Sequence, residues 1–248
     1  PRKIDYLSLQ QFLAFGYTIG NRSMVDGIFK LPPGHSLTYS LKSRKLTIDR
    51  YWEPASLNSR QSKTPSEYAE DLHKLLKASL RKQLVADVPV GILLSGGVDS
   101  SIIAAVASEI SNKRLQTFTA VFPGAGTFDE SPYAKLVADH LGTEHTELVI
   151  EPSSVEILFK LAKQFDEPIA DSSMIPTHLV SSLIRQHATV ALGGDGADEL
   201  FGGYPHHRYL AQLEYYRQFL PSYIRKPLRS AADLAIPVGT KGRNYLLA

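Results

Sequence analysis

The chain of 248 residues contains no cysteine. Disulfides, thiolate metal sites and a cysteine nucleophile are therefore excluded within it, which fits a reducing cytoplasm. Long apolar runs are also missing. The longest, Ile102-Ile103-Ala104-Ala105-Val106-Ala107, is far short of the roughly 18 residues that cross a bilayer. No signal-peptide pattern opens the sequence. An excess of either charge is lacking too: 27 Lys and Arg against 25 Asp and Glu leave a net +2, so nothing argues for a nucleic-acid surface. Neither an internal repeat nor a low-complexity tract occurs. Pro1 opens in mid-pattern and Ala248 follows a polar stretch, so the expectation is a fragment of a longer protein.

What remains is ordinary for a globular protein: 43% hydrophobic and 21% charged residues, enough to bury a sizeable core. Residues 1–53 read as a small unit. Leu7, Leu9, Phe12, Leu13 and Phe15 predict a short helix ending near Gly16. Leu31-Pro32-Pro33-Gly34-His35 is a turn. Ser36–Leu41 and Lys45–Ile48, joined by Lys42-Ser43-Arg44, predict a hairpin. Residues 54–65, rich in Ser, Pro, Asn and Gln, read as a linker.

From Ser66 the period changes. Tyr68, Leu72, Leu75, Leu76 and Leu80 recur at helical spacing behind a capping pattern, Thr64-Pro65-Ser66-Glu67. Strands are then predicted at Val88–Leu94, Thr117–Phe122, His145–Ile150 and Thr189–Leu192. Helices are predicted at about Ser100–Ile110, Ser131–Leu141, Val155–Phe165 and Ile175–His187, with helical text after Glu199. Alternating strands and helices imply an α/β fold: a doubly wound, mostly parallel sheet with helices on both faces. Ligands on such sheets sit at the carboxyl ends of the strands, where Ser95 and Gly193 both fall.

The first such end carries Ser95-Gly96-Gly97-Val98-Asp99-Ser100-Ser101. Gly96 and Gly97 allow close approach and unusual backbone angles. The loop amides and the following helix N-terminus attract anions, and Ser95, Ser100 and Ser101 can add hydroxyls. A carboxylate at Asp99 would repel phosphates unless a cation lay between, which points to Mg2+ bridging to phosphate oxygens; the plainer alternative is a helix cap. The loop is neither a Walker A sequence nor a nucleophile elbow.

The second end carries Gly193-Gly194-Asp195-Gly196-Ala197-Asp198-Glu199-Leu200-Phe201-Gly202-Gly203-Tyr204. Crowded carboxylates raise one another's pKa unless a cation shares them. Asp198 could complete a magnesium site with Asp99; the alternative is an acidic first helical turn complementing the dipole. A third polar stretch, Asp166-Glu167-Pro168-Ile169-Ala170-Asp171-Ser172-Ser173, lies between two helices. It reads equally as a substrate loop or as a helix cap by Asp171 or Ser172. His206-His207 and the basic run Arg225–Arg229 read as solvated, because adjacent helical residues do not face one another.

The two glycine-acid loops together closely resemble the glutamine-dependent asparagine synthetases, within the wider group of SGGxDS-loop ATP pyrophosphatases (adenine nucleotide α-hydrolase-like). Ile4-Asp5, Leu31–His35 and Tyr51-Trp52 resemble the segment joining that family's glutaminase and synthetase domains. The resemblance implies three parts: residues 1–53 as the C-terminal, small and β-rich tail of a glutaminase domain, 54–65 as a linker, and 66–248 as a truncated ATP-binding synthetase domain. It implies ATP and Mg2+, aspartate adenylation with pyrophosphate release, and amidation by glutamine-derived ammonia in a cytoplasmic enzyme. By position Ser95, Gly96, Gly97, Asp99 and Ser100 match the pyrophosphate loop, and Leu93 and Ala120 match backbone contacts to adenosine. Asp99 and Asp198 match magnesium ligands, and Gly194 and Asp195 lie beside nucleotide and acyl intermediate. Asp195 and Asp198 are the catalytic candidates, and Glu167, Asp171 and Ser172 the substrate candidates. The missing glutaminase domain is the implied partner, without nucleic acid or membrane, and a homodimer stays open.

Several positions depart from the family pattern. The glutaminase cysteine is absent, so this chain is not expected to hydrolyse glutamine. No match to a lysine further downstream occurs before Ala248, so nucleotide binding is expected to exceed turnover. Glu167-Pro168 and Asp171 stand where well-studied members carry threonines and an arginine, although some members have an EP-x-x-DSS pattern, and Asp195 stands where many have glutamate. The alternatives are a related SGGxDS-loop amidotransferase or β-lactam-type synthetase with another acceptor carboxylate, or a non-catalytic nucleotide-binding relative.

Overall fold

The computed structural model describes residues 2–54, 63–124, 126, 129–150 and 156–219, together with 227, 230 and 235–237. Most of the 54–65 stretch and of Arg225–Arg229 lies outside them.

Helix α1 spans Tyr6–Phe15. Asp5 starts it, its carboxylate accepting from Ser8 N at 2.9 Å and pairing with Arg22 at 2.8 Å. Gly16, at φ +84°, ends it as expected. The hairpin pairs β1 (His35–Ser40) with β2 (Lys45–Arg50), from His35 opposite Arg50 to Ser40 opposite Lys45. The Gly34 carbonyl accepts from both Tyr51 N and Trp52 N, at 2.9 and 3.2 Å. That contact ties the Pro-Pro-Gly turn to the Tyr-Trp pair.

Helix α2 (Pro65–Gln83) begins with a complete capping box. Thr64 Oγ1 accepts from Glu67 N, Glu67 accepts from Thr64 N at 2.7 Å, and proline occupies the first turn. Its apolar stripe is only partly used: Leu80 is buried and Leu76 packs beside it, while Tyr68 and Leu75 are exposed.

Four strands form the main sheet: β3 (Val90–Leu93), β4 (Gln116–Val121), β5 (Glu144–Val149) and β6 (Val190–Leu192). All pairs are parallel and the order is β5-β4-β3-β6. The connecting helices are α3 (Val98–Ile110), α4 (Ser131–Leu141), α5 (Glu156–Gln164) and α6 (Met174–Ile184). After β5 the chain crosses back to the far side of β3, so the direction of winding reverses between β3 and β6. This is the doubly wound α/β arrangement expected, and its switch point lies between those two strands.

Side chains of the sheet alternate between two apolar layers. Ile92 and Leu94 face α2, α3 and α4, packing with Leu80, Ala104, Ala107, Ala134 and Ala138. Leu93 and Phe118 face α6, with Leu148, Val180 and Ile184. Gly91 has no side chain because the Phe118 ring occupies that space. After β6 come α7 (Ala197–Phe201) and α8 (Pro205–Phe219). Among the described residues no helix is long and apolar enough to cross a membrane.

Candidate active site

The first loop is shaped by its own hydroxyls. Ser100 is 7% exposed. Its Oγ accepts from Ser95 N at 3.1 Å, lies 3.0 Å from Ser95 Oγ and donates to Gly97 O at 3.3 Å. Ser95 Oγ also accepts from Gly97 N at 3.2 Å. Ser100 thus braces the turn from inside while lining the cleft. Gly96 adopts φ +79°, and a Cβ there would come within 2.6 Å of Ala134 N at the start of α4. No side chain caps α3, whose first internal bond is Ser101 N to Gly97 O at 3.1 Å. The amides of its first turn point to the strand end without an intrahelical partner, a setting suited to an anion.

The second loop leaves β6 through Gly193 and Gly194 and turns at Gly196, φ +88°. Gly194 lies against the first loop: a Cβ on it would be 2.9 Å from Ser100 N and 3.0 Å from Asp99 C. Only a bare Cα fits between the two turns, which therefore meet at the switch point. Asp198 sits in the first turn of α7, its carbonyl accepting from Gly203 N at 3.1 Å.

A cleft of about 600 Å³ opens where the loops meet. Of the residues singled out from sequence, Leu93, Ser95, Asp99, Ser100, Ala120, Gly194, Asp195 and Asp198 line it together. Gly96 and Gly97 shape the turn behind them. Thr177, Val180 and Ser181 of α6 form another wall. Among the described residues no three His, Asp or Glu side chains gather closely enough to hold a metal ion alone. Asp99 and Asp198 supply two hard oxygen donors to one cleft, and Mg2+ commonly takes one or two carboxylates and completes its shell with phosphate and water. The donor set fits that ion.

Sequence reading missed several lining residues. Tyr204 donates to Glu199 at 2.7 Å. That bond holds the Glu199 carboxyl below its ordinary range and raises the Tyr204 hydroxyl. Asp129 and Glu130 enter from the connection after β4, and the rule that ligands lie at strand carboxyl ends pointed there as well. Thr177 and Ser181 are four apart on α6, the spacing of one helical face.

Glu167, Asp171 and Ser172 do not line this cleft. Asp171 accepts from Ser173 N at 2.8 Å, which lowers its pKa; this closes a turn just before α6, whose N-cap is Ser173 and has no side-chain cap bond, so neither Asp171 nor Ser172 caps the helix. Ser172 is exposed. Glu167 pairs with Lys30 at 2.7 Å and accepts from Thr18 Oγ1 at 3.1 Å and Met24 N at 3.2 Å. Burial pushes its carboxyl up, but the bonds from Lys30 and Thr18, the Lys30 charge and the Met24 amide outweigh this and leave it lowered. A group with a lowered folded pKa stabilises the fold above its unfolded value, here the ordinary glutamate 4.5, and the contribution fades as pH falls through the folded value. The stability difference between wild type and Glu167→Gln, measured by urea unfolding, should therefore shrink between about pH 6 and about pH 3. A difference constant with pH would show that the ion pair adds nothing.

His206 is exposed, as expected, and His207 half-buried, but the two do face one another. Their rings touch edge to face at 4.3 Å, and His206 stacks on Tyr204 at 5.2 Å. A helix start at Pro205 splays both rings toward the tyrosine.

Comparison with known proteins agrees with this geometry. The asparagine synthase family profile matches residues 71–245. The chain is 34% identical over 220 residues to putative asparagine synthetase (glutamine-hydrolyzing) 2 of Methanocaldococcus jannaschii, covering 88% of this chain and 42% of that protein. It is 34% identical over 247 residues to asparagine synthetase (glutamine-hydrolyzing) 1 of Bacillus subtilis, covering 98% and 38%. A putative asparagine synthetase (glutamine-hydrolyzing) of Mycobacterium tuberculosis H37Rv is 33% identical, covering 98% and 37%. The chain spans about two fifths of the length of these relatives. With the profile covering both glycine-acid loops and the sheet that brings them together, the chain belongs to the asparagine synthase family.

Proposed function

We propose that this chain is the nucleotide-binding part of a glutamine-hydrolysing asparagine synthetase, a carbon–nitrogen ligase of the cytoplasm. The observation that carries the reading is the contact of Gly194 with Asp99 and Ser100, which joins a phosphate-type loop and an acidic loop at the switch point. The relatives' names, asparagine synthetase (glutamine-hydrolyzing), support asparagine as product and glutamine as nitrogen source. Residues 1–53 are then the end of a glutaminase domain, 54–65 its linker and 66–248 the synthetase domain.

The ATP phosphates lie on the Ser95–Ser101 turn, held by its amides and the N-terminus of α3. Leu93 and Ala120 border the adenosine. One oxygen of the aspartate side-chain carboxylate attacks the α-phosphorus. The bond from that phosphorus to the bridging oxygen breaks and pyrophosphate leaves. Ammonia then attacks the acyl carbon, loses a proton and expels AMP, leaving the amide. Asp99 and Asp198 would hold Mg2+, which when bound supplies positive charge against the phosphate oxygens. Asp195 faces the acyl group, and the loop amides stabilise charge on the departing oxygens.

The test is pyrophosphate release by the full-length protein with Mg-ATP, ammonia and a panel of carboxylates. Aspartate-dependent release with asparagine formed supports the reading, whereas release with another carboxylate alone moves the substrate. Asp99→Asn should weaken Mg-ATP binding about tenfold, roughly 1.4 kcal/mol. Unchanged affinity removes Asp99 from the metal role.

A further inference from the structure

We propose that Glu167 is a positioning residue: it ties the loop 166–173 to the N-terminal segment and so sets the α6 wall of the cleft against which the acceptor carboxylate binds. This rests on the synthetase reading above. Three groups from residues 18–30 converge on one carboxylate. Its Oε1 pairs with Lys30 Nζ at 2.7 Å, and its Oε2 accepts from Thr18 Oγ1 at 3.1 Å and Met24 N at 3.2 Å. Lys30 also donates to Thr18 Oγ1. The Glu167 side chain is only 17% exposed, so these partners replace water rather than compete with it.

The link has a second strand. Ala170 N donates to Gly16 O at 2.9 Å, and Gly16 presses on Ala170 closely enough that a Cβ there would stand 3.3 Å from the alanine methyl. Directly after Ala170, Asp171 accepts from Ser173 N in a turn and α6 begins at Met174. Pro176, Thr177, Val180 and Ser181 of that helix line the cleft. The chain from Glu167 to the wall is thus one short loop, fixed at its start to the N-terminal segment and at its end to the helix. The phosphate loop stands on β3 and α3, and α6 is held to β3 by Val180 and Ile184 packing with Leu93, so a slackened Glu167 link frees the first turn of α6, at Pro176 and Thr177, and leaves the nucleotide seat in place.

Glutamine at 167 keeps the shape and the acceptor oxygen while removing the charge pair. The experiment uses the full-length protein with ammonia, comparing wild type, Glu167→Gln, Lys30→Met and the double variant. KM for the carboxylate should rise about tenfold in each single variant and no further in the double, with KM for ATP changed less than about twofold. Amide exchange over Met174–Ile184 should quicken in Glu167→Gln while β3 and β4 keep theirs. An unchanged carboxylate KM, additive singles, or an ATP KM rising in step overturns the proposal. If wild type turns over no carboxylate, the synthetase reading has failed instead. The exchange measurement then decides alone, and unaltered exchange over Met174–Ile184 overturns the link.

Discussion

Gly96→Ala should cost the chain its nucleotide affinity by at least about a hundredfold, near 2.7 kcal/mol. Two effects act together. Gly96 sits at φ +79°, where an L side chain costs about 1–2 kcal/mol. The added methyl also has no room. It would stand 2.6 Å from Ala134 N and 2.6 Å from Tyr133 Cβ, backbone-anchored atoms at the start of α4 that cannot swing aside. Relief requires the turn to lift off α4, which breaks the Ser95–Ser100 bracing that aims the α3 amides. The control is Gly142→Ala. That glycine has φ +66° but open space around it, and it ends α4 away from the cleft. It should lose about 1 kcal/mol of stability and keep its affinity. Calorimetric titration with Mg-ATP separates the two. Wild-type affinity in Gly96→Ala would place the nucleotide elsewhere.

Much of this arrangement is written locally, and that part could be read without coordinates. Gly16 and Gly142 end their helices because a left-handed residue is required there. Thr64-Pro65-Ser66-Glu67 starts α2 because Thr64 and Glu67 satisfy each other's orphan amides and Pro65 lacks one. Both glycine-acid loops fall at strand ends because the apolar runs before them are short and continuous. What could not be read depends on partners distant in sequence. Glu167 looked like a substrate residue because its neighbours are polar and follow a helix, yet its partners stand at 18, 24 and 30. No local pattern encodes a salt bridge across such a separation. Ser100 lines the cleft as expected, but its bonds to Ser95 N and Gly97 O, which shape the turn, carried no local sequence signal. Leu75 fits the helical stripe of α2 and still faces outward, because the stripe is wider than the surface that α3 offers. The strand order, with β6 beside β3, is likewise a pairing between distant segments, and only the chirality of the crossovers restricted it beforehand.

Gly194→Val should lower nucleotide affinity at least about fiftyfold while leaving thermal stability nearly unchanged, with Gly194→Ala between it and wild type. The cause differs from that at Gly96. Gly194 does not adopt a left-handed conformation, so no backbone strain enters and the whole effect is steric. A Cβ would lie 2.9 Å from Ser100 N, 3.0 Å from Asp99 C and 3.0 Å from Asp99 Cβ. The first of these is an amide of the α3 turn on which the proposed phosphate seat rests. Alanine needs a separation of a few tenths of an ångström, and the branched valine needs more. The loops sit at the cleft rim rather than in either apolar layer, so parting them costs little core contact. It does separate Asp99 from Asp198 and widens the phosphate seat. Gly97 provides the comparison: a Cβ there meets only the Ser95 hydroxyl at 3.2 Å, a contact that a shift of about a few tenths of an ångström relieves without breaking the hydroxyl's bonds to Gly97 N and Ser100. Gly97→Ala should therefore weaken binding less than about threefold. The order Gly96, Gly194, Gly97 follows from what each methyl would strike: fixed backbone with strain, fixed backbone without it, and one hydroxyl at a distance that a small shift relieves. Equal losses at Gly97 and Gly194 would mean that flexibility of the loop, and not the contact between the two loops, is what nucleotide binding requires.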